Sequence, residues 1–325
     1  MTTYKEIYGT NVEVLSSDPT NPVEGQIWYN STSQTLKGYA LVAGSWATAG
    51  PLNTARQDLS GTGTQTAALA IGGNNGPVVT GATESYNGTA WTSSPNSLNT
   101  ARYGLGAAGT NTAALVFGGF STANTGVNES WNGSTWTELG DLNTARRAMG
   151  NAGATNTAAL AFGGLTTVAV ANNESWNGTS WTELGDLNTA RITVVGGGPN
   201  TAALAFGGYT NPPFVITGLT ESWNGTSWTE LNDLNTARYA SAGNGNQTTA
   251  LYVGGLTPTA IANTESWNGT SWSEVNDLNT ARGALAGAGA NNTAALAFGG
   301  ATPTVVASTE EWSGPAVQTV NITVS

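Results

Sequence analysis

The sequence predicts an all-β protein in which one four-stranded unit is copied six times and the copies close into a ring. Three observations carry that expectation. The string Leu-Asn-Thr-Ala-Arg recurs six times, ending at Arg56, Arg102, Arg146, Arg191, Arg238 and Arg282, at intervals of 46, 44, 45, 47 and 44 residues. Asn-Gly stands between aromatic-containing runs, as at Asn132-Gly133 between Trp131 and Trp136, and both central residues of the tightest hairpin turn need positive φ. No stretch sustains a 3.6-residue apolar period, and the Gly and Thr content opposes helix. The chain has 325 residues, a length that by itself suggests two ordinary domains. Six copies in one register replace that by a single array.

Within a unit the first strand is mostly Gly and Ala, as in Gly283-Ala-Leu-Ala-Gly-Ala-Gly289. Such side chains suit a crowded position near an axis where identical strands converge. The second strand, as in Thr201-Ala-Ala-Leu-Ala-Phe206, is apolar at consecutive positions, so both its faces are expected to be buried. It stops at a Gly-Gly pair in every copy, beginning at Gly72, Gly118, Gly163, Gly207, Gly254 and Gly299. The third strand carries Glu before an aromatic: Glu84/Tyr86, Glu129/Trp131, Glu174/Trp176, Glu221/Trp223, Glu265/Trp267 and Glu310/Trp312. A fourth strand begins at a second Trp in five copies (Trp91, Trp136, Trp181, Trp228, Trp272). The third and fourth strands alternate aromatic and polar residues, as expected farther from the axis.

The sixth copy lacks its second Trp and runs into Ser313-Gly-Pro-Ala. The missing piece stands at the other end, where Trp46 precedes Leu52 by six residues as Trp181 precedes Leu187. The N-terminal segment is therefore expected to supply the outer strand of the last copy, and closure removes the ends that an open array must cap. Seven units are the alternative: Gly25–Asn30 and Leu36–Tyr39 read as a hairpin before the Trp46 strand. The alternating tail Val317–Val324 could complete either the sixth unit or that extra one. The expected organisation is an extended arm over 1–24, a hairpin with the ring-closing strand over 25–49, the repeats over 50–312 and a C-terminal strand over 313–325.

Nine basic against 20 acidic residues leave a formal charge of −11, which disfavours a general electrostatic grip on nucleic acid or an anionic membrane. There is no Cys and no His, which removes disulfides, thiolate nucleophiles, Cys/His zinc sites and any imidazole base. No apolar run approaches the roughly 18 residues of a membrane helix. The opening MTTYKEIYGT has no basic region followed by an apolar one, so no secretory signal is expected. Six of the basic residues are the repeat arginines, and equal copy number suggests the repeat glutamates as their partners in a structural contact. Symmetry-related carboxylates do not form the single asymmetric acid pair that hydrolysis needs, and no segment concentrates oxygen ligands as a calcium loop does. No cofactor or metal is expected. The five Asn-Gly-Thr/Ser strings match the glycosylation pattern, but the turn already demands Asn-Gly.

The unit resembles the kelch repeat of the β-propeller class: a strand ending in Gly-Gly, then a spaced aromatic pair, at roughly the kelch period. The likeness covers about residues 50–312 and implies a kelch-like β-propeller of four-stranded blades. Trp usually stands here as the first aromatic and the pair lies five residues apart, so the match departs in detail. WD-repeat propellers fit less well, since the chain has no Trp-Asp dipeptide.

Residues 16–39 carry a second resemblance. Their Pro22-x-x-Gly25-x-x-Trp28-Tyr29-Asn30…Leu36-Lys37-x-Tyr39 is similar to segments of tail-fibre and other virion proteins of bacteriophages, and the arrays behind such segments resemble structural proteins of phages that infect marine cyanobacteria. That resemblance implies a virion protein, assembled in the host cytoplasm, whose N-terminal arm meets other virion proteins. The loops after the second strand vary most, carry no charge, and supply the candidate recognition residues Asn74, Phe120, Tyr209, Asn211 and Phe214. Loops on a rigid scaffold are where recognition usually resides. The expectation is a non-enzymatic virion component displaying a propeller for host-surface adhesion or particle decoration, with a host glycan or protein as partner. The competing readings are a free-standing carbohydrate- or protein-binding propeller and a glycan depolymerase.

Overall fold

The structure is a computed structural model and describes residues 12–323. Residues 1–11 of the expected arm and the last two residues of the tail lie outside the described residues. Among the described residues there is no helix; the chain is all-β. It forms two compact units: the N-terminal segment to Gly44 with the tail from Gly314, and Ser45–Ser313.

The larger unit contains six four-stranded antiparallel sheets, an arrangement consistent with a β-propeller. The first sheet runs Ser60–Thr64, Ala67–Ile71, Thr83–Tyr86, Trp91–Ser93, and the second runs Gly106–Gly109, Ala114–Phe117, Asn128–Trp131, Trp136–Glu138. The third comprises Gly150–Thr155, Ala158–Phe162, Asn173–Trp176 and Trp181–Glu183; the fourth comprises Val195–Gly197, Leu204–Phe206, Thr220–Trp223 and Trp228–Glu230. The fifth comprises Ala242–Gly245, Ala250–Val253, Thr264–Trp267 and Trp272–Val275. In the sixth, Ala286–Asn291, Ala294–Phe298 and Thr309–Ser313 are completed by Ser45–Ala49, with Trp46 opposite Trp312. The Trp46 strand therefore pairs with the last repeat and not with the hairpin before it.

The small-residue first strands contact one another in succession from sheet to sheet, and that of the sixth lies against that of the first. Their composition follows from this proximity. A Cβ on Gly61 would stand 2.4 Å from the Gly287 carbonyl oxygen, and one on Gly196 2.4 Å from that of Asn151. Second strands such as Ala114–Phe117 are wholly buried because each is sandwiched between neighbouring sheets.

The two most repeated motifs meet across sheets. The second glycine of each pair donates its backbone N–H to the carbonyl of the next repeat arginine: Gly73 to Arg102 (3.0 Å), Gly119 to Arg146 (2.9 Å), Gly164 to Arg191 (2.8 Å), Gly208 to Arg238 (3.0 Å) and Gly255 to Arg282 (2.9 Å). The sixth bond runs from Gly300 to Arg56 at 2.8 Å. Gly72 and Gly73 have φ of +62° and +99°, a region that L side chains adopt only at a cost, so glycine is needed where the chain turns against that carbonyl.

Outer tryptophans hydrogen-bond four of the six sheets to the one before. The indole Nε1 of Trp46, Trp91, Trp136 and Trp272 donates to the hydroxyl of Thr264, Thr309, Thr83 and Thr220, at 3.0–3.1 Å. Asn128 and Asn173 replace that threonine opposite Trp181 and Trp228, and there the indole N–H and the amide oxygen are both buried without a partner. Asn128→Thr and Asn173→Thr each give up the amide's bond to the carbonyl of exposed Gly140 or Gly185 (3.1 Å), which water can replace, and recover the buried indole bond. Each should raise stability by up to about 1 kcal/mol, and chemical denaturation of the single and double variants checks this.

In the smaller unit Glu13–Leu15 pairs in parallel with Ile27–Asn30, which pairs with Thr35–Val42, which in turn pairs antiparallel with the tail strand Ala316–Asn321. The tail thus belongs to this sheet and does not enter the sixth. Asp18 fastens the segment before the hairpin by accepting from the Trp28 indole (3.0 Å), the Asn30 amide (2.7 Å) and Lys37 Nζ (2.7 Å). These donors, Lys37 first, hold its carboxyl at about 2, below the ordinary 3.8. A carboxylate with a depressed pKa contributes stability that is whole above the ordinary value and drains away as the pH falls to the folded one. The Trp28 indole N–H resonance should therefore shift between pH 3.8 and about 2, and Asp18→Asn should abolish that titration.

Candidate functional site

The residue types that most invite a chemical reading are consumed by the scaffold. Each repeat arginine is fully buried and paired with the glutamate of its own third strand: Arg56–Glu84, Arg102–Glu129, Arg146–Glu174, Arg191–Glu221, Arg238–Glu265 and Arg282–Glu310. The same carboxylates accept the backbone N–H of the repeat asparagine, as Glu84 does from Asn53 at 2.7 Å. Each pair thus ties the segment entering a sheet to that sheet's third strand. Trp131, Trp176, Trp223 and Trp267 are buried and stack on Trp136, Trp181, Trp228 and Trp272 at 5.1–5.6 Å. Of the adjacent carboxylates unique to the last repeat, Glu310 joins its arginine and Glu311 accepts from the Tyr86 hydroxyl at 2.6 Å. Burial first, and then Glu311, push the Tyr86 phenol up.

Along the first strands lies a cavity of about 330 Å³ lined from all six sheets, by Gly61, Ala107, Asn151, Gly196, Gly243 and Gly287 among others. None of its lining residues is titratable. Asn151 and Asn244 turn their amides onto neighbouring backbone, to the carbonyls of Ala107 and Asn291, both at 2.6 Å. Beside it is a shallower space whose lining includes Asp58, Gly104, Ala148, Thr193, Ala240 and Ala284. All six have positive φ, from +51° to +62°. Their backbones join in a chain: Asp58 N–H donates to Ala284, Gly104 to Asp58, Ala148 to Gly104, Thr193 to Ala148 and Ala284 to Ala240, while Ala240 N–H uses the Thr193 hydroxyl.

Immediately outside that chain the repeats cease to be alike. The residue after each repeat arginine pairs with the residue after Gly-Gly: Gln57 with Asn74, Tyr103 with Phe120, Arg147 with Leu165, Ile192 with Tyr209, Tyr239 with Leu256 and Gly283 with Ala301. Aromatic and arginine side chains occupy these positions only in the second to fifth sheets. The Tyr103 and Phe120 rings lie 5.4 Å apart. Arg147 places its guanidinium 4.6 Å from the Phe120 centroid and donates to Asn124 Oδ1 at 3.2 Å. Tyr209, Phe214 and Tyr239 form a trio with centroids 4.9, 5.1 and 5.8 Å apart.

Phe214 is 54% exposed. It follows the turn of a small hairpin in which Tyr209-Thr210 pairs with Val215-Ile216. Asn211, on that turn, is exposed, and its carbonyl accepts from Ala169 N–H at 3.0 Å. Asn74 stands apart from the others. It is 6% exposed and braces its own loop, donating to Asp58 Oδ2 and accepting from Gln57 Nε2 and Gly76 N–H. Burial raises the Asp58 carboxyl, against the bond from Asn74 and the charge of Arg147.

Tyr103, Arg147 and Tyr239 stand directly after the repeat arginine, where the sequence pattern predicts the start of a small-residue strand, so nothing but their variation marks them. Across the six copies that position reads Gln, Tyr, Arg, Ile, Tyr, Gly. No family model matches the sequence, and no curated protein is significantly similar to it.

Proposed function

We propose that this chain is a non-enzymatic structural protein of a bacteriophage particle that displays a six-bladed kelch-like β-propeller for host-surface adhesion or particle decoration. Closure into six blades is supported by the Gly300–Arg56 bond, which repeats the five inter-sheet bonds before it, and by Ser45–Ala49 completing the last sheet. The virion reading rests on the Pro22…Tyr39 resemblance of the N-terminal segment.

One observation carries recognition. Copies that share the arginine, the glutamate and the Gly-Gly pair of the scaffold diverge at one end of four consecutive sheets, where they present Tyr103, Phe120, Arg147, Tyr209, Phe214 and Tyr239. A pure spacer has no use for that asymmetry. The six repeat glutamates, each engaged by arginine, offer no free acid pair and favour the non-enzymatic reading.

Mass spectrometry of purified particles tests the assignment: the chain should co-purify at fixed stoichiometry. Its absence from particles would leave a free-standing binding propeller, and release of reducing ends from envelope polysaccharide would make it an enzyme.

A further inference from the structure

Charge narrows the kind of partner that this face fits. Beyond the six glutamates neutralised by arginine, each of the second to fifth sheets ends its outer strand in a Glu-x-x-Asp pair, from Glu138/Asp141 in the second to Glu274/Asp277 in the fifth. The equivalent residues of the first and sixth sheets are Ser93/Ser97 and Thr48/Pro51. All eight carboxylates are exposed. They lie at the end of the sheets that bears the aromatic residues: Glu183 accepts from the Asn172 amide at 2.6 Å, and Asp277 from Thr264 N–H at 3.1 Å, both where the loop from the second strand arrives. The excess negative charge of the larger unit is thus gathered around the same four sheets that carry the aromatic arc, and Arg147 is the one cation placed among them.

The arc already holds a guanidinium, that of Arg147 over Phe120. The neighbouring trio of Tyr209, Phe214 and Tyr239 presents the same kind of ring surface with Phe214 half in solvent. Ring faces attract cations, and a planar guanidinium both stacks on them and bonds to carboxylates. A neutral glycan could stack on the rings and hydrogen-bond to the carboxylates but would gain nothing from their net charge, whereas an acidic glycan would be repelled by it. We propose that this face docks a basic polypeptide segment, an arginine or lysine side chain lying on the Tyr209–Phe214–Tyr239 rings and flanking cations on the Glu-x-x-Asp pairs. The proposal rests on the recognition reading above and names its partner class; it does not require that the chain reside on a particle.

Fluorescein-labelled nona-arginine, titrated with the full-length protein and followed by anisotropy, tests it. Dissociation constants should rise about tenfold or more between low and half-molar salt, because exposed charge pairs are screened. Replacing Glu138, Glu183, Glu230 and Glu274 by Gln should weaken binding about tenfold at low salt, and Tyr209→Ala with Phe214→Ala about fivefold, with the salt dependence kept. Glu13→Gln with Glu24→Gln, exposed acids of the other unit, should leave binding within about twofold. Near-ultraviolet circular dichroism confirms that each variant is folded. Equal binding by the four-Gln variant, or an equal loss in the Glu13/Glu24 variant, would overturn the proposal. So would salt-insensitive binding of neutral dextran that disappears with Tyr209→Ala/Phe214→Ala while nona-arginine binding does not change. Particle composition is read separately, so failure of the virion assignment and failure of this proposal are distinguishable.

Discussion

Removal of residues 1–49 should lower the midpoint of thermal unfolding by about 10 °C or more relative to a chain lacking only residues 1–43. The difference between the two truncations isolates the strand Ser45–Ala49. That strand pairs with Thr309–Ser313 over five positions. Trp46 packs against Trp312 with centroids 5.4 Å apart, donates its indole N–H to Thr264 at 3.1 Å, and accepts the Asn279 amide at its carbonyl at 3.2 Å. Without it Trp312, now fully buried, faces water beside an open sheet edge. Deleting one buried tryptophan side chain costs about 3–5 kcal/mol, and in a chain of this size each kcal/mol moves the midpoint by about 2–4 °C. Trp46→Ala in the full chain should give an intermediate drop. Equal midpoints for the two truncations would show that the strand contributes nothing.

Glu221→Gln should destabilise the protein by about 3–5 kcal/mol, the range for breaking a buried ion pair from one side. Arg191 is fully buried; its guanidinium donates to Glu221 Oε1 at 2.8 Å and to the carbonyls of Gly207 and Leu219 at 2.9 and 2.7 Å. Burial pushes that guanidinium below its ordinary value, and the Glu221 charge pushes it back. The amide retains most of the shape and removes the opposing charge, so a cation stays in an apolar setting with carbonyl oxygens alone. Arg191→Met combined with Glu221→Leu should cost less than the two single changes together, because no uncompensated charge remains. The double variant should not return to the parent value, since Asn188 N–H loses its acceptor Glu221 Oε2 at 2.7 Å. Guanidinium unfolding of the four chains gives the coupling. A cost below about 1 kcal/mol for Glu221→Gln would place the pair among contacts of the exposed kind.

The scaffold was legible in the sequence because it repeats. Equal copy number suggested that arginine meets glutamate, and in each sheet the two are bonded. Likewise, the missing second Trp of the last copy and the surplus Trp46 at the other end imply one another, and these strands pair. The candidate face was only half legible. Phe120, Tyr209 and Phe214 stand in loops whose variation is visible, but Asn74 stands in the same kind of loop and is buried by contacts to Gln57 and Asp58. Tyr239 is the opposite case: it looks like the start of a small-residue strand, yet it meets Tyr209 of the preceding sheet at 5.1 Å.

By itself the sequence determined the all-β class, the strands of each unit, the places where the chain turns and the positions at which glycine or a buried pair is required. These follow from local backbone preference and from a pattern stated six times. The turn type it did not determine, for in the Asn-Gly loops only the glycine has positive φ and the asparagine Oδ1 accepts from backbone N–H groups, as Asn132 does from Ser134 and Thr135. Only the tertiary structure decided that the tail Ala316–Asn321 pairs with Thr35–Val42, that the variable residues of four sheets gather into one arc, and that the Glu-x-x-Asp carboxylates lie at the same end of those sheets. Each of those depends on which surfaces come together when distant segments pack. No local preference encodes that, and a residue that occurs in one copy only has no repetition to reveal it.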